Sequence, residues 1–207
     1  MSDNEFSPEE SAPQVSKEEA PLSTARAIGL FVFDFFKVFV IAVAIIIPIR
    51  WFLFQPFVVT GDSMRPNFHD GNYLIIDELT YRFRVPARGE VIVMRAPNTP
   101  SEFFIKRIVG LPGERVVVEN GHVTVYEDDS PQGKILKEEY LPQENLTYGS
   151  ADRRLGEHEY FVLGDNRLSS SDSRVWGPLQ RDAIVGRAYI RVFPIADFQL
   201  FSTPKYQ

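Results

Sequence analysis

Cysteine is absent from the 207 residues of the sequence, and histidine is scarce. The lack of cysteine excludes disulfides, thiol nucleophiles, iron–sulfur clusters and cysteine-based zinc sites. The three histidines, His69, His122 and His158, do not have a zinc-ligand spacing such as His-x-x-x-His, so no metal site is expected. A Ser-His-Asp triad has no support from the sequence either, because no His–acid pair stands out.

Basic residues are also in the minority, with 22 Lys and Arg against 28 Asp and Glu and a formal net charge of −6. Nucleic-acid binding requires a basic surface, so no nucleic acid is expected as a partner. The acidic excess is concentrated in residues 1–26, which carry six acidic and two basic residues among Ser, Pro and Ala. Such a segment cannot bury enough apolar surface to offset its chain entropy, and we expect a disordered acidic tail over residues 1–26.

Residues 27–54 form a long apolar run that only Asp34, Lys37 and Arg50 interrupt. We interpret this run as one transmembrane anchor, in which Asp34 and Lys37 can pair on one face of a helix. The 12 uncharged residues between Lys37 and Arg50 are too few for a bilayer core of about 30 Å, but both cations can extend toward the interfaces. Pro48 is expected to end or kink the helix near its outer end.

Two other interpretations of the apolar run are less well supported. A buried helix of a soluble protein normally has one polar face, and this run has none. A cleavable signal peptide has a short basic start and a small-x-small site at its end, whereas here a long acidic region precedes the run and no such site follows it. The count of basic residues on the two sides does not fix the orientation of the helix.

After the anchor, short β-branched and aromatic stretches alternate with turn residues, which predicts an all-β domain over residues 55–207. The predicted strands are Phe57–Thr60, Tyr73–Asp77, Glu90–Arg95, Phe103–Val109, Arg115–Glu119, His122–Tyr126, Tyr160–Leu163 and Ile184–Val192. Asn120-Gly121 predicts a tight hairpin between two of them. Residues 127–157 are mostly polar, and we assign about residues 114–157 to a smaller inserted β lobe. The predicted architecture is a coiled antiparallel sheet or barrel, or a sandwich.

Three segments of this domain contain candidate catalytic residues. Thr60–Pro66 holds a serine between glycine and proline, where a fixed turn can expose a hydroxyl. Phe103–Gly113 holds a lysine in an otherwise apolar strand, where burial is costly unless the amine is neutral or paired. Gly164–Gly177 is a polar loop in which Asp172 and Arg174 can pair. Taken singly, the three also suit an ordinary turn, an edge-strand lysine facing water and a solvated loop.

Together, and in this order after the anchor, the three segments resemble the type I signal peptidases. That family carries a Ser-Met-x-Pro serine, a Lys-Arg pair in a strand ending Gly-Leu-Pro-Gly, and a Gly-Asp-Asn-Arg…Ser-x-Asp-Ser-Arg loop, all of which occur here. The runs Tyr73–Asp77 and Gly89–Val93 fit the family as well. The resemblance covers about residues 30–195.

The resemblance implies a Ser–Lys mechanism, with Ser63 as the nucleophile and Lys106 as the general base. It further implies that Ser170 orients the lysine and that Asp172 and Arg174 support the loop around it. Whatever the family, a lysine base must be deprotonated, so its pKa must fall from about 10.4 by about two units or more. Desolvation by apolar neighbours changes a lysine pKa in that direction.

The resemblance also has implications for the oxyanion hole and for substrate selection. Some members have a hydroxyl side chain two residues before the nucleophile, where this sequence has Gly61. Backbone N–H groups, including that of Ser63, must then form the hole. Shallow subsites that accept Ala-x-Ala before the cut are expected from six apolar residues: Phe57, Val59, Met64, Phe68, Phe104 and Ile105.

The expected partners are the signal peptides of exported preproteins and the lipid bilayer. We expect a monomer without a metal or an organic cofactor. The expected location is the inner (plasma) membrane or the thylakoid membrane, crossed once, with the N-terminus in the cytoplasm and the catalytic domain on the outer side.

Two other functions fit parts of the sequence. The related self-cleaving repressors use a Ser–Lys pair on a β fold, but they need an N-terminal DNA-binding helix-turn-helix where this sequence has an acidic tail and an anchor. An inactive anchored β module that only binds peptides would not need Ser63, Lys106 and Ser170. Cleavage of a preprotein distinguishes this module from an enzyme.

Overall fold

The computed structural model describes residues 24–52, 54–127, 130–142 and 146–203. The chain divides into an N-terminal unit, residues 1–45, and a second unit, residues 46–207. Most of the predicted acidic tail therefore lies outside the described residues. Its last three residues belong to a helix, so residues 24–26 were wrongly assigned to the tail.

Helix α1 runs over Thr24–Phe52. Its segment Ile28–Ile47 is long and apolar enough to cross a membrane, because about 20 helical residues span about 30 Å. The predicted ion pair is confirmed, with Lys37 Nζ 2.8 Å from Asp34 Oδ1. The helix continues beyond Pro48 to Phe52, so the proline does not end it.

The all-β prediction for the rest of the chain is confirmed, since it folds mainly as antiparallel strands. The described strands are β1 (Phe54–Val58), β2 (Tyr73–Asp77), β3 (Val91–Arg95), β4 (Phe103–Gly110), β5 (Arg115–Glu119), β6 (His122–Glu127), β7 (Ser130–Ile135), β8 (Ala151–Arg154), β9 (Glu159–Leu163), β10 (Leu179–Gln180), β11 (Ile184–Phe193) and β12 (Gln199–Leu200). Short helices lie at α2 (Thr80–Phe83) and α3 (Ser173–Trp176), with 3-10 turns at Arg181–Ala183 and Ile195–Asp197.

The strands form two sheets. The larger has the order β1-β2-β11-β3-β4-β9-β10, and β12 pairs with β11. This path has two free ends, at β1 and β10, so the sheet is open rather than a closed barrel. The smaller sheet has the order β7-β6-β5-β8 and forms the lobe. Its β5–β6 hairpin pairs Glu119 with His122 around Asn120-Gly121, as predicted from the sequence.

The larger sheet is covered on both faces, which explains its continuous apolar strands. Alternate residues of β3 belong to different clusters, because successive side chains of a strand point to opposite faces. Val91 and Val93 lie in one cluster with Leu74, and Ile92 and Met94 lie in another. The strands that carry the site are therefore fixed by packing from both sides.

The lobe shares a third cluster with the ends of β4 and β9. At Gly110 on β4, an added Cβ would lie 2.5 Å from Val116 Cγ2 and 2.8 Å from Phe161 Cβ. Only glycine fits so close a contact. The lobe is thus packed directly on the strand that carries Lys106.

Candidate active site

Ser63 lies in the loop that connects β1 to β2. Gly61 has φ +87°, a conformation suited to glycine, and its N–H donates to Asp70 Oδ1 at 2.8 Å. After Ser63, the Phe68 N–H donates to the Met64 carbonyl at 3.0 Å, and both of these side chains are buried. These contacts hold the half-buried Ser63 in a defined position at the end of β1.

Lys106 lies on β4, with only 3% of the residue exposed. Its Nζ donates to Ser63 Oγ at 2.8 Å and to the Ile105 carbonyl at 3.0 Å. The amine also lies 5.5 Å from the centre of the Phe104 ring. The structure thus brings together the two residues for which the sequence predicts catalytic roles, although 43 positions separate them in the chain.

Burial lowers the pKa of the Lys106 amine from 10.5 to about 8, although the negative charges of Asp172 and Asp165 partly oppose this change. Removing the ammonium from water penalises its charged form, which lowers the pKa of a lysine. At a pH near 8, about half of the amines are then neutral and have a lone pair that can accept a proton.

The predicted Asp172–Arg174 pair is confirmed, at the start of α3. Arg174 Nε and Nη2 lie 2.8 and 2.7 Å from the two oxygens of Asp172. Asp172 also accepts from the Gly164 N–H at 3.1 Å, and Arg174 Nη1 donates to the carbonyls of Arg167 and Tyr148. The pair therefore ties both ends of the 164–174 loop together.

Ser170 is the third loop residue with a predicted role, and its Oγ is buried without a hydrogen-bond partner in the described part of the chain. It lies against Gly164, where an added Cβ would be 2.2 Å from Ser170 Oγ and 2.4 Å from the Ser63 carbonyl oxygen. Gly164 thus allows the loop to approach the Ser63 backbone closely. The orientation of Lys106 by Ser170 remains a prediction.

A buried ion pair that was not expected from the sequence joins β4 to the 164–174 loop. Arg107 Nε and Nη2 lie 2.8 and 2.6 Å from the two oxygens of Asp165, and Arg107 Nη1 donates to the Gly89 carbonyl. Asn67, four residues after Ser63, donates to Asp165 at 2.8 Å. Arg107 directly follows Lys106 and Asp165 directly follows Gly164, so both belong to the motifs. A sequence cannot show that these two residues meet.

An open groove of about 110 Å³ reaches Ser63 and Lys106. Four of the predicted substrate-binding residues line it: Phe57, Val59, Phe104 and Ile105. The other two, Met64 and Phe68, do not line the groove. They lie in the core beneath it, where Met64 Sδ accepts from the Asp165 N–H at 3.4 Å and the Phe68 ring packs 4.7 Å from Phe201.

The N–H of Ser63 has no acceptor among the described residues, so it is available to a ligand in the groove. The N–H of Gly61 is already bonded to Asp70. The three histidines, His69, His122 and His158, are exposed. The group that contacts Ser63 Oγ is the Lys106 amine rather than a histidine imidazole.

A serine hydroxyl beside a buried lysine amine, at the floor of an open groove, is an arrangement typical of serine hydrolases in which lysine takes the place of histidine. The profile of the family described as "Signal peptidase, peptidase S26" matches residues 32–193. The chain belongs to this family and is a peptidase.

Individual relatives are similar over most of the chain. The "Probable signal peptidase I-2" of Synechocystis sp. is 36% identical over 185 residues, which cover 86% of this chain and 78% of the relative. The "Signal peptidase I" of Leptolyngbya laminosa is 33% identical over 91% of this chain and 88% of its own length. A "Signal peptidase I" of Bacillus amyloliquefaciens is 34% identical over 79% of this chain and 86% of its own length.

Proposed function

We propose that this peptidase removes signal peptides from exported preproteins with Ser63 as nucleophile and Lys106 as general base. The observation that supports the proposal most strongly is the 2.8 Å contact between Ser63 Oγ and a lysine amine that is almost completely buried. A histidine base would need a ring nitrogen in that place.

The proposed reaction has two steps. Neutral Lys106 Nζ accepts the Ser63 hydroxyl proton while Oγ attacks the scissile carbonyl carbon, and the resulting ammonium donates its proton to the leaving amine. Ser63 then holds the signal peptide as an ester. A water molecule attacks this ester, Lys106 accepts one proton from the water and returns it to Ser63 Oγ, and the signal peptide leaves as a carboxylic acid, which then loses its proton to solvent.

The negative oxygen of each tetrahedral intermediate needs donors that are fixed in advance. The Ser63 N–H meets this need, because no described residue accepts from it and it belongs to a loop held by other hydrogen bonds. For Ser170 we propose the role that the resemblance implies, which is to orient the Lys106 amine. Its hydroxyl is buried and has no hydrogen-bond partner among the described residues, and a protonated Lys106 amine would supply one.

We propose that the signal peptide binds as an extended strand in the groove. The first residues of β4, Phe103 to Lys106, pair with β3 on one edge, while the pairing with β9 begins at Arg107. β1 is an end strand of the sheet. The groove between these two edges has Leu74 and Val93 among its lining residues, and its small volume favours alanine-sized side chains, as in Ala-x-Ala.

The anchor gives the location that we propose. With α1 in the inner (plasma) or thylakoid membrane and the tail in the cytoplasm, the catalytic β domain, residues 55–207, would lie on the outer side, where signal peptides emerge. An anchor also confines enzyme and substrate to one membrane, which raises their effective concentration. We propose a monomer, because each proposed catalytic group comes from one chain.

The proposed function is tested by incubating the full-length protein in lipid vesicles with a preprotein that has one Ala-x-Ala site. Mass spectrometry of the products should find a single cut directly after the second alanine. A preprotein in which that alanine is replaced by phenylalanine should be cut about 100-fold more slowly, because its ring overlaps the groove wall. An uncut Ala-x-Ala preprotein, or equal cutting of both, would contradict the proposal.

The groove lining predicts a change of specificity. Ile105→Ala removes three carbon atoms from a half-buried wall of the groove. We expect cleavage of a valine-containing site to rise about 10-fold relative to Ala-x-Ala, since a larger side chain then fits. The ratio of kcat/KM for the two peptides measures this. Val175→Ala, at an exposed residue outside the groove, should leave the ratio unchanged. An unchanged ratio in Ile105→Ala would place the subsite elsewhere.

A further inference from the structure

The segment that follows β7 contacts the catalytic loop as well as its own lobe. We define residues 136–141 as the bridging segment and residues 164–174 as the catalytic loop. Leu136 and Leu141 of the bridging segment are buried. Between them, the side chain of Glu138 contacts Arg167 and that of Tyr140 contacts Arg107.

Glu138 pairs with Arg167, a side chain of the catalytic loop that is fully shielded from solvent. Arg167 Nη1 lies 2.6 Å from Glu138 Oε2, and Nη2 bonds to the other carboxylate oxygen. Arg167 also donates to Thr147 Oγ1 and, through Nε, to the Gly164 carbonyl at 3.1 Å. Burial by itself would lower the pKa of Arg167, but the hydrogen bonds to Glu138 raise it, so the cation is retained.

Tyr140 forms a second link from the same segment. Its ring stacks on the Arg107 guanidinium at 3.9 Å, and its hydroxyl donates to Glu138 Oε1 at 2.5 Å. Its backbone carbonyl accepts from Asn67 Nδ2 at 2.9 Å. Tyr140 thus contacts Arg107, which is next to Lys106 in the chain, and Asn67, which lies in the loop that carries Ser63 and also donates to Asp165.

The catalytic loop, in turn, touches the nucleophile's own backbone. The Asn166 N–H donates to the Ser63 carbonyl at 3.0 Å, and Asn166 Nδ2 donates to the Asp62 carbonyl at 3.1 Å. Asn166 is the direct neighbour of Arg167 in the chain. A displacement of Arg167 would therefore move a group that holds Ser63.

We propose that Glu138 is a positioning residue of the peptidase reaction, which acts through Arg167 and Asn166 on the placement of Ser63. This inference rests on the proposed function of Ser63 and Lys106. The inserted lobe then has a function in the reaction, because it supplies the carboxylate that fixes a buried cation of the catalytic loop. Without that carboxylate, Arg167 must find water or another acceptor, and the loop must move to allow it.

The variant Glu138→Gln tests the proposal, because it keeps the shape of the side chain and removes its charge. The full-length protein in detergent is assayed on a fluorogenic Ala-x-Ala peptide, well below its melting temperature, where all molecules are folded. We expect kcat to fall about 10- to 100-fold, as for a displacement of about 1 Å at a reacting group. KM should stay within about twofold of the wild-type value, since the groove residues are not touched.

The matched control is Asp152→Asn, which breaks another ion pair of the same lobe. Asp152 pairs with Arg115 on the exposed surface, between β8 and β5. This variant should keep the wild-type kcat. A kcat of Glu138→Gln equal to that of wild type would overturn the proposal, and so would an equal loss in both variants, which would indicate a general effect of the lobe on the fold.

Two further outcomes can be distinguished from those of Glu138→Gln and Asp152→Asn. If Glu138→Gln does not yield folded protein, Glu138→Asp replaces it. This variant keeps the negative charge, but its side chain is one methylene shorter, so the carboxylate lies farther from Arg167. A severalfold lower kcat at unchanged KM would then support the proposal, and a wild-type kcat would overturn it. A wild-type protein that fails to cut the peptide would instead contradict the proposed function itself.

Discussion

Replacing Ser63 with alanine is expected to lower the rate of preprotein cleavage by at least about 10⁴-fold, because the variant lacks the attacking oxygen. The fold should be retained, since the loop is held by the N–H of Gly61 and by the buried Met64 and Phe68 rather than by the hydroxyl. The measurement is preprotein cleavage in lipid, with a melting curve of the same sample.

The catalytic loop offers matched controls for this variant. Ser169 and Ser171 are exposed, and their replacement by alanine should leave most of the activity, whereas Ser170→Ala should impair it. Cleavage by Ser63→Ala at a rate near that of the wild type would mean that another residue is the nucleophile.

Lys106→Arg and Lys106→Met should both be inactive, with a loss similar to that of Ser63→Ala. Guanidinium stays protonated throughout the working pH range, and methionine has no basic nitrogen, so neither can accept the serine proton. Lys134→Met serves as control, since this lysine is exposed in the lobe. Full activity in Lys106→Arg would point to a histidine base, with His69 the first candidate to test.

The same residue determines the pH dependence of the wild type. Since burial lowers the pKa of Lys106 to about 8, kcat/KM should rise as the pH increases through about 8 and level off above it. His69→Ala should follow the same curve. Full activity well below pH 6 would exclude Lys106 as the base.

Lys106→Met also gains stability while it loses activity. In the folded protein the pKa of Lys106 is lower than in the unfolded chain, so the charged lysine destabilises the fold. This destabilisation has its full size below about pH 8 and disappears as the pH rises past 10.5. The depression corresponds to about 3 kcal/mol as an upper value. The variant should therefore melt at a higher temperature than the wild type at pH 7, and the difference should vanish at high pH.

Strands β3 and β9 could be predicted from the sequence because their continuous runs of apolar residues are buried on both faces of the sheet. β2 and β5 agree with the prediction at both ends, and the others differ by a few residues at most. The missed strands β7, β8, β10 and β12 are polar or only two residues long. These strands are defined by backbone hydrogen bonds to a neighbouring strand. The pattern of side chains along a sequence predicts such pairing only weakly.

The resemblance identified Ser63 and Lys106, which are 43 positions apart. From the residues alone, a contact could be inferred only where one motif holds both partners. Asp172 and Arg174 are two residues apart, so their pairing could be inferred from the sequence. Arg107 and Asp165 are separated by 58 positions, and only the fold brings them together. The resemblance implied that Met64 and Phe68 line the groove, but both lie in the core. Side-chain direction in a loop has no periodicity that a sequence could reveal.

The central claim is that Lys106 is a neutral base within reach of Ser63 at the pH at which the enzyme works. Its most direct test is the titration of the Lys106 side chain by NMR in the full-length protein in detergent, with the signal assigned by its absence from Lys106→Arg. The pKa should be about 8 and should coincide with the midpoint of the rise in kcat/KM. A Lys106 pKa near 10.5 with full activity at pH 7 would contradict the proposed mechanism.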